Sequence, residues 1–113
     1  MSRTDANDGL PSGTWRLLAD SRRRYLLECL QPEAPTTLSA LAVEIAARER
    51  GEPTETIDRT VRRRIEIALV HNHLPRLADR GVIAYDPTTD RVVLTADRET
   101  RRLLEASLRY SNN

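Results

Sequence analysis

Apolar residues recur at helical spacing in four stretches of the chain and read as paired strands in one. In "TWRLLADSRRRYLLECL", Leu18, Tyr25, Leu26, Cys29 and Leu30 fall at helical intervals, and Asp20 or Ser21 stands where a cap belongs. A helix to about Leu30 is predicted. The segment "QPEAP" ends it, because Pro32 and Pro35 forbid continuation. In "TTLSALAVEIAARER", Leu38, Leu41, Ala42 and Ile45 form one apolar stripe, predicting a second helix from about Ser39. Gly51 and Pro53 end it. Thr54 is the expected cap of a third segment running from about Glu55 to Arg80. Glu55 and Asp58 suit its positive N-terminal end, and Gly81 supplies the stop.

The apolar phase shifts within this third segment. Ile57, Val61, Ile65 and Ala68 share one face, while Ile67, Val70, Leu74, Leu77 and Ala78 lie about a quarter turn away. Pro75 also removes the hydrogen bond to the carbonyl of His71. A kink is expected, with two helices meeting near 70–74 as the alternative. "VIAYDPTTDRVVLT" predicts a hairpin over about 82–95, turning at "DPTTD". Beyond a short strand near Thr36–Leu38, no larger sheet is expected. Thr95 is the expected cap of a last helix carrying Leu103, Leu104 and Leu108 on one side. The fold read from this order is mainly α with a β-hairpin wing, a winged helix-turn-helix. Residues 1–12 are polar and expected to be a disordered tail. The domain is placed at 13–95, and 96–113 is read as a C-terminal helix that serves dimerisation.

Composition narrows the class without naming a partner. A chain of 113 residues is one domain by length. With one Trp, three Tyr and no Phe, its core must be aliphatic, which favours helices. No apolar run approaches the ~20 residues of a membrane span. The opening "MSRTDANDGLPSG" has no hydrophobic signal region, so a cytoplasmic protein is expected. Cys29 is the only cysteine, which excludes an intrachain disulfide. Eighteen cationic residues against 17 anionic ones leave a formal charge of +1. All the cations are Arg, whose planar fork suits phosphate and guanine.

The stretch "HLPRLADRGVIAYDPTTDRVVLT" resembles the motif of winged-helix repressors, in which the second helix ends as His-Leu-x-x-Leu-x-x-x-Gly followed by an aliphatic residue. His73, Leu74, Leu77, Gly81 and Val82 match it. "LSALAVEIAARE" would be the first half of the motif, and the connection to the second is longer than the usual tight turn. Together with "LLADSRRRYLLECL", these segments resemble a family of small haloarchaeal winged-helix domains of unassigned function, over about residues 14–95. The absence of Lys fits that origin. The resemblance implies a transcriptional regulator.

"LVHNHLPRL" asks for a choice between metal, core and DNA. His71 and His73 lie about 200° apart around a helix and cannot chelate one ion. Leu74 and Leu77 read as core, and His73 as either core edge or DNA contact. Arg62, Asn72, Arg76 and Arg80 fall on or near the side away from the second apolar face. Asn suits adenine, and Arg suits guanine or phosphate. With His73 and with Arg91 at the wing base, they form the expected DNA-binding set. Ile65 and Leu69 share that outward side, which suits packing on the first helix or on a partner subunit. "SRRRY" and "RTVRRRIE" read either as solvated, ion-paired helices or as phosphate contacts. Trp15, Leu103, Leu104 and Leu108 are the expected surface of a homodimer; cover of the leucine stripe by the first helix of the same chain, leaving a monomer, is the alternative. The leading expectation is a regulator that binds double-stranded DNA; the alternative is a protein-interaction module on the same fold without DNA binding. No nucleophile–base pair, phosphate loop or metal cluster points to an enzyme, and neither a cofactor nor a small-molecule ligand is indicated.

Overall fold

The computed structural model of the chain describes residues 15–111. The tail expected over 1–12 lies outside the described residues. A 3-10 turn over Trp15–Ala19 leads into α1 (Ser21–Cys29), whose first turn is closed by the Asp20 carboxylate. That carboxylate accepts the backbone N–H groups of Arg22 and Arg23 at 2.8 and 3.2 Å. The two prolines prevent any extension, and the chain turns into β1 (Thr36–Thr37). Thr37 then caps α2 (Leu38–Arg50) by accepting from the Ala40 N–H at 3.1 Å. Gly51 ends α2 at φ 64°, the left-handed geometry that glycine adopts without a Cβ penalty.

The third segment becomes an α-helix later than predicted. Thr54 starts only a 3-10 turn over Thr54–Thr56. The helix proper, α3 (Arg59–Ala68), is capped by Asp58, which accepts from the Thr60 N–H at 3.0 Å. Ile57 leaves helical geometry between the two turns, so the cap moves to the acidic residue that follows. The expected irregularity before Pro75 is a π turn over Leu69–His73, in which the Leu74 N–H bonds the carbonyl of Leu69. A wider turn just before a proline relieves the ring and leaves fewer carbonyls waiting for the missing N–H. The helix resumes as α4 (Leu74–Asp79), and Gly81 leaves it at φ 71°.

The hairpin forms as predicted, from β2 (Ile83–Asp86) and β3 (Arg91–Leu94), with Ile83 opposite Leu94 and Asp86 opposite Arg91. The short strand joins on the other edge of β3, giving the antiparallel order β1-β3-β2. Helix, strand, two helices and a hairpin in this order make a mainly α, winged-helix-like fold. The last helix, α5 (Arg98–Ser111), is capped by Asp97 rather than Thr95: the Asp97 carboxylate accepts the Thr100 N–H at 2.7 Å. The Thr95 hydroxyl instead donates to the carbonyl of Gly81 at 3.2 Å.

Leu26, Leu41, Ile45, Leu69, Leu74, Leu77, Val82 and Val92 are fully buried, an aliphatic core between α1, α2, the third segment and the sheet. Each such side chain contributes about 1.5–3 kcal/mol of transfer free energy. Ile65 and Leu69, expected on the outward side, belong to this core, and Ile67 is the residue turned out to solvent, 54% exposed. The π turn is the reason. It shifts the buried side by a fraction of a turn, so a wheel drawn at one constant angle misassigns residues on either side of it. Leu104 and Leu108 of α5 are buried and share the lining of a small apolar cavity with Leu27, Leu30, Pro32 and Leu94. Among the described residues, no helix is long and apolar enough to cross a membrane.

Candidate nucleic-acid interface

Helices α2 and α3 pack on each other and form the helix-turn-helix, joined by residues 51–58. The buried side of α3 is set by Ile65, with Val61 half-buried beside it. The opposite side carries Arg59, Thr60, Arg63, Arg64 and Ile67, all exposed. Arg59 and Arg63 are one turn apart and stand in line. Among the described residues, neither these two nor Arg64 makes a side-chain hydrogen bond or ion pair. Here the "RTVRRRIE" run divides. Arg62 lies on the flank, half-buried, with its Nε 3.5 Å from a Glu66 carboxylate oxygen and no hydrogen bond of its own.

The residues expected at DNA are not brought together on one face. His73 is buried, 4% exposed, and is corrected from a DNA contact to a core residue. Its Nδ1 lies 3.4 Å from Nη1 of Arg23. A guanidinium can only donate, so Nδ1 accepts and the imidazole is the neutral form with its proton on Nε2. Burial holds its pKa below the ordinary value; Asp20 pulls it up, and Arg23 and Arg22 push it further down. His71 is exposed, so the two histidines point to different sides. Asn72 and Arg76 are exposed but paired with each other: Arg76 Nε donates to Asn72 Oδ1 at 2.6 Å. Arg76 and Arg80 face a shallow cleft shared with Arg16, Leu17, Arg23 and Asp79.

The "SRRRY" run serves the fold. Arg22 grips Glu49 with Nε and Nη2 at 2.6 and 2.8 Å, tying α1 to α2. Arg48 returns the tie to Glu28 at 2.7 Å. Arg23 Nε donates to the carbonyl of Leu17 at 2.7 Å, and Arg24 Nη1 to that of Leu18 at 2.5 Å. These last two bonds satisfy carbonyls at the end of the 3-10 turn, where no helical N–H follows.

The wing is short and tight. Asp86 accepts the Thr88 N–H at 2.9 Å, the Tyr85 hydroxyl donates to Asp90 at 3.0 Å, and Asp90 sits at φ 55°. The carbonyl of Asp90 accepts the Leu38 N–H at 2.8 Å, which fastens the wing to the start of α2. Arg91 is exposed at its base. The dimer residues fare differently. The Trp15 side chain lies outside the described residues, and Leu103 is half-buried. Leu104 and Leu108 are covered by their own chain, the alternative to a partner chain, so the expected dimer surface is corrected at these two residues. Cys29 is half-buried, and burial pushes its thiol up to about 11, which keeps the reactive thiolate scarce. Among the described residues, no group of three or more His, Cys, Asp or Glu is placed to hold a metal ion.

Fold and surface thus define a small winged-helix-like domain with an arginine-bearing second helix in its helix-turn-helix. The chain belongs to the family described as a domain of unknown function, DUF7344, which matches residues 15–93. The match takes in α1 to β3 and stops short of α5. No curated protein and no solved structure matches the chain.

Proposed function

We propose that the domain is a transcriptional regulator that binds double-stranded DNA by placing the N-terminal half of α3 in the major groove. In helix-turn-helix proteins that half carries the base contacts. Arg59, Thr60 and Arg63 would face the bases and Arg64 a phosphate, with Arg91 against the backbone at the wing. The observation that carries the reading is the exposed line of Arg59 and Arg63 on α3, while the arginines of α1 are bound to carbonyls and carboxylates of the protein itself. Asn72 in the π turn and Arg76 and Arg80 past it would meet phosphates rather than bases. A homodimer on a two-fold site remains part of the proposal, because one small domain reads few base pairs. The lysine-free composition supports the haloarchaeal source that the resemblance implies, and a DNA-binding role places the protein in the cytoplasm.

The second reading, a protein-interaction module, is favoured by Ile67 at the centre of the same face and by Asp86 and Asp90 on the wing. Selection from random duplex DNA, followed by salt-titrated anisotropy, separates the two. A selected duplex should bind with an affinity that falls steeply with salt, and Arg63→Ala should cost about 1–3 kcal/mol of specific binding. Absence of any salt-dependent binding at about 50 mM salt would favour the interaction module.

A further inference from the structure

The outward face of α3 carries one large apolar side chain among its arginines. Ile67 is 54% exposed and is the large hydrophobic residue left out of the core among the described residues. At about 100° per residue, with Val61 and Ile65 setting the buried side, the outward face centres on Arg63. Ile67 stands one turn beyond Arg63 and about 40° around the axis from it, and Arg64, three residues back, is its other close neighbour on the face. Among the described residues, Arg63 and Arg64 make no side-chain hydrogen bond or ion pair. The carboxylates of the helix and its cap stand apart from this group. Asp58 accepts from the Thr60 N–H at the first turn, and Glu66 is half-buried on the flank beside Arg62. A lone exposed aliphatic is ordinary on a protein surface. What sets Ile67 apart is its place: it adds nothing to the core, and the side chains around it are unpaired cations.

We propose that Ile67 is a specificity-determining residue that reads the C5-methyl group of a thymine in the major groove. This role rests on α3 binding duplex DNA as already proposed, and it names the base feature that the last turn of the helix selects. Base edges in the major groove offer donors, acceptors and one kind of apolar group, the thymine methyl. Arg63 has the fork for guanine O6 and N7, whereas Ile67 has neither donor nor acceptor and gains only from an apolar partner. The line from Arg59 to Ile67 is about 12 Å long at 1.5 Å per residue, which matches the width of the groove. One step of four residues rises about 6 Å against about 3.4 Å per base pair, so the thymine lies within about two base pairs of the guanine met by Arg63. A protein partner fits the face less well. Its surface would cover Ile67 only by also desolvating the unpaired guanidinium groups of Arg63 and Arg64. DNA offers those groups guanine acceptors and phosphates while its methyl covers the isoleucine.

The test uses the full chain and a duplex selected from random DNA. Each thymidine of that duplex is replaced in turn by deoxyuridine, which pairs with adenine in the same way and lacks only the C5-methyl. Anisotropy at fixed salt should find one thymidine per half-site whose replacement weakens binding about fourfold, the effect of one methyl group no longer buried. Ile67→Ala should bind the thymidine duplex at least that much more weakly than the native chain does, and should no longer distinguish it from the deoxyuridine duplex. Its salt slope should equal that of the native chain, because no charge is lost. Selection repeated with Ile67→Ala should lose the thymine at that position and keep the guanine. Ile67 is exposed, so alanine there leaves the core intact. Salt-dependent binding that is indifferent to every deoxyuridine, or a deoxyuridine effect of equal size in Ile67→Ala, would overturn the role of Ile67 and leave DNA binding by α3 standing. Absence of salt-dependent binding to any duplex would overturn both.

Discussion

Single arginines show most directly how position decides role. Eighteen of them look alike in the sequence, and no local rule separates Arg22, bound to a glutamate 27 positions away, from Arg63, which faces solvent. Helical periodicity can tell which side a residue is on, but pairing across elements is a tertiary fact. That is why the expected DNA set mixed exposed residues with the buried His73. His73 itself yields a testable consequence. Its folded pKa lies below its ordinary 6.5, so the unfolded chain binds more protons than the folded one between those two values. Its contribution is complete above 6.5 and declines as the pH falls from there toward the folded value. Urea melts at pH 7.5 and 5.5 should show lower stability at the acid end. His73→Asn should flatten that window, at some cost in overall stability. An equal pH dependence in both proteins would show that His73 is not its source. Below 3.8 a separate decline is expected from Asp20. Burial would raise that carboxyl, but its helix-capping bonds and the nearby His73 and Arg23 hold it down.

At the scale of elements, four helices, the break before Pro75, the hairpin and the third short strand were legible, because each is written in local pattern and turn chemistry. What failed was also local in cause. Thr54 and Thr95 both look like caps, yet the acidic residues Asp58 and Asp97 take the role. A carboxylate gains the helix dipole as well as the hydrogen bond, so it wins where both are in reach. The π turn could not be placed from a wheel, although its proline was visible. Helix α5 is the largest change of meaning. Its leucines read as a surface needing cover, from the first helix or from a second copy, and only the fold shows that the chain itself supplies it. Leu104, 4% exposed against Leu27, Leu30 and Leu94, should therefore behave as a core residue. Leu104→Ala should cost about 2–5 kcal/mol in denaturant melts and lower Tm by several degrees or more. A loss below about 0.5 kcal/mol, the level of an ordinary surface substitution, would mean that α5 is not seated on the body.

For the whole molecule, the question is how a domain with a formal charge of +1 could hold a polyanion. Net charge is the wrong measure, because the carboxylates are not spread evenly. Glu49 and Glu28 are spent on Arg22 and Arg48 between α1 and α2. Those pairs cancel locally and leave Arg59, Arg63 and Arg64 to dominate the outward side of α3. Assembly follows from the same accounting of surfaces. With Leu104 and Leu108 covered within the chain, the largest exposed apolar residue described is Ile67, which is too little to hold two copies together in solution. Two copies would then meet on a two-fold DNA site, with the DNA supplying most of the association energy. Light scattering at micromolar concentration should give a monomer without DNA and two copies on a selected two-fold duplex. On that duplex, Arg59→Ala/Arg63→Ala in both copies should remove about four phosphate-equivalent charges from the interface. The slope of log K against log salt should then fall in magnitude by up to about 3.6 if each arginine displaces one counterion. The slope falls less to the extent that these side chains reach bases instead, where Arg63 should change the preferred sequence. A stable dimer without DNA would instead place the partner surface elsewhere, and an unchanged slope together with unchanged affinity and sequence preference would remove α3 from the interface.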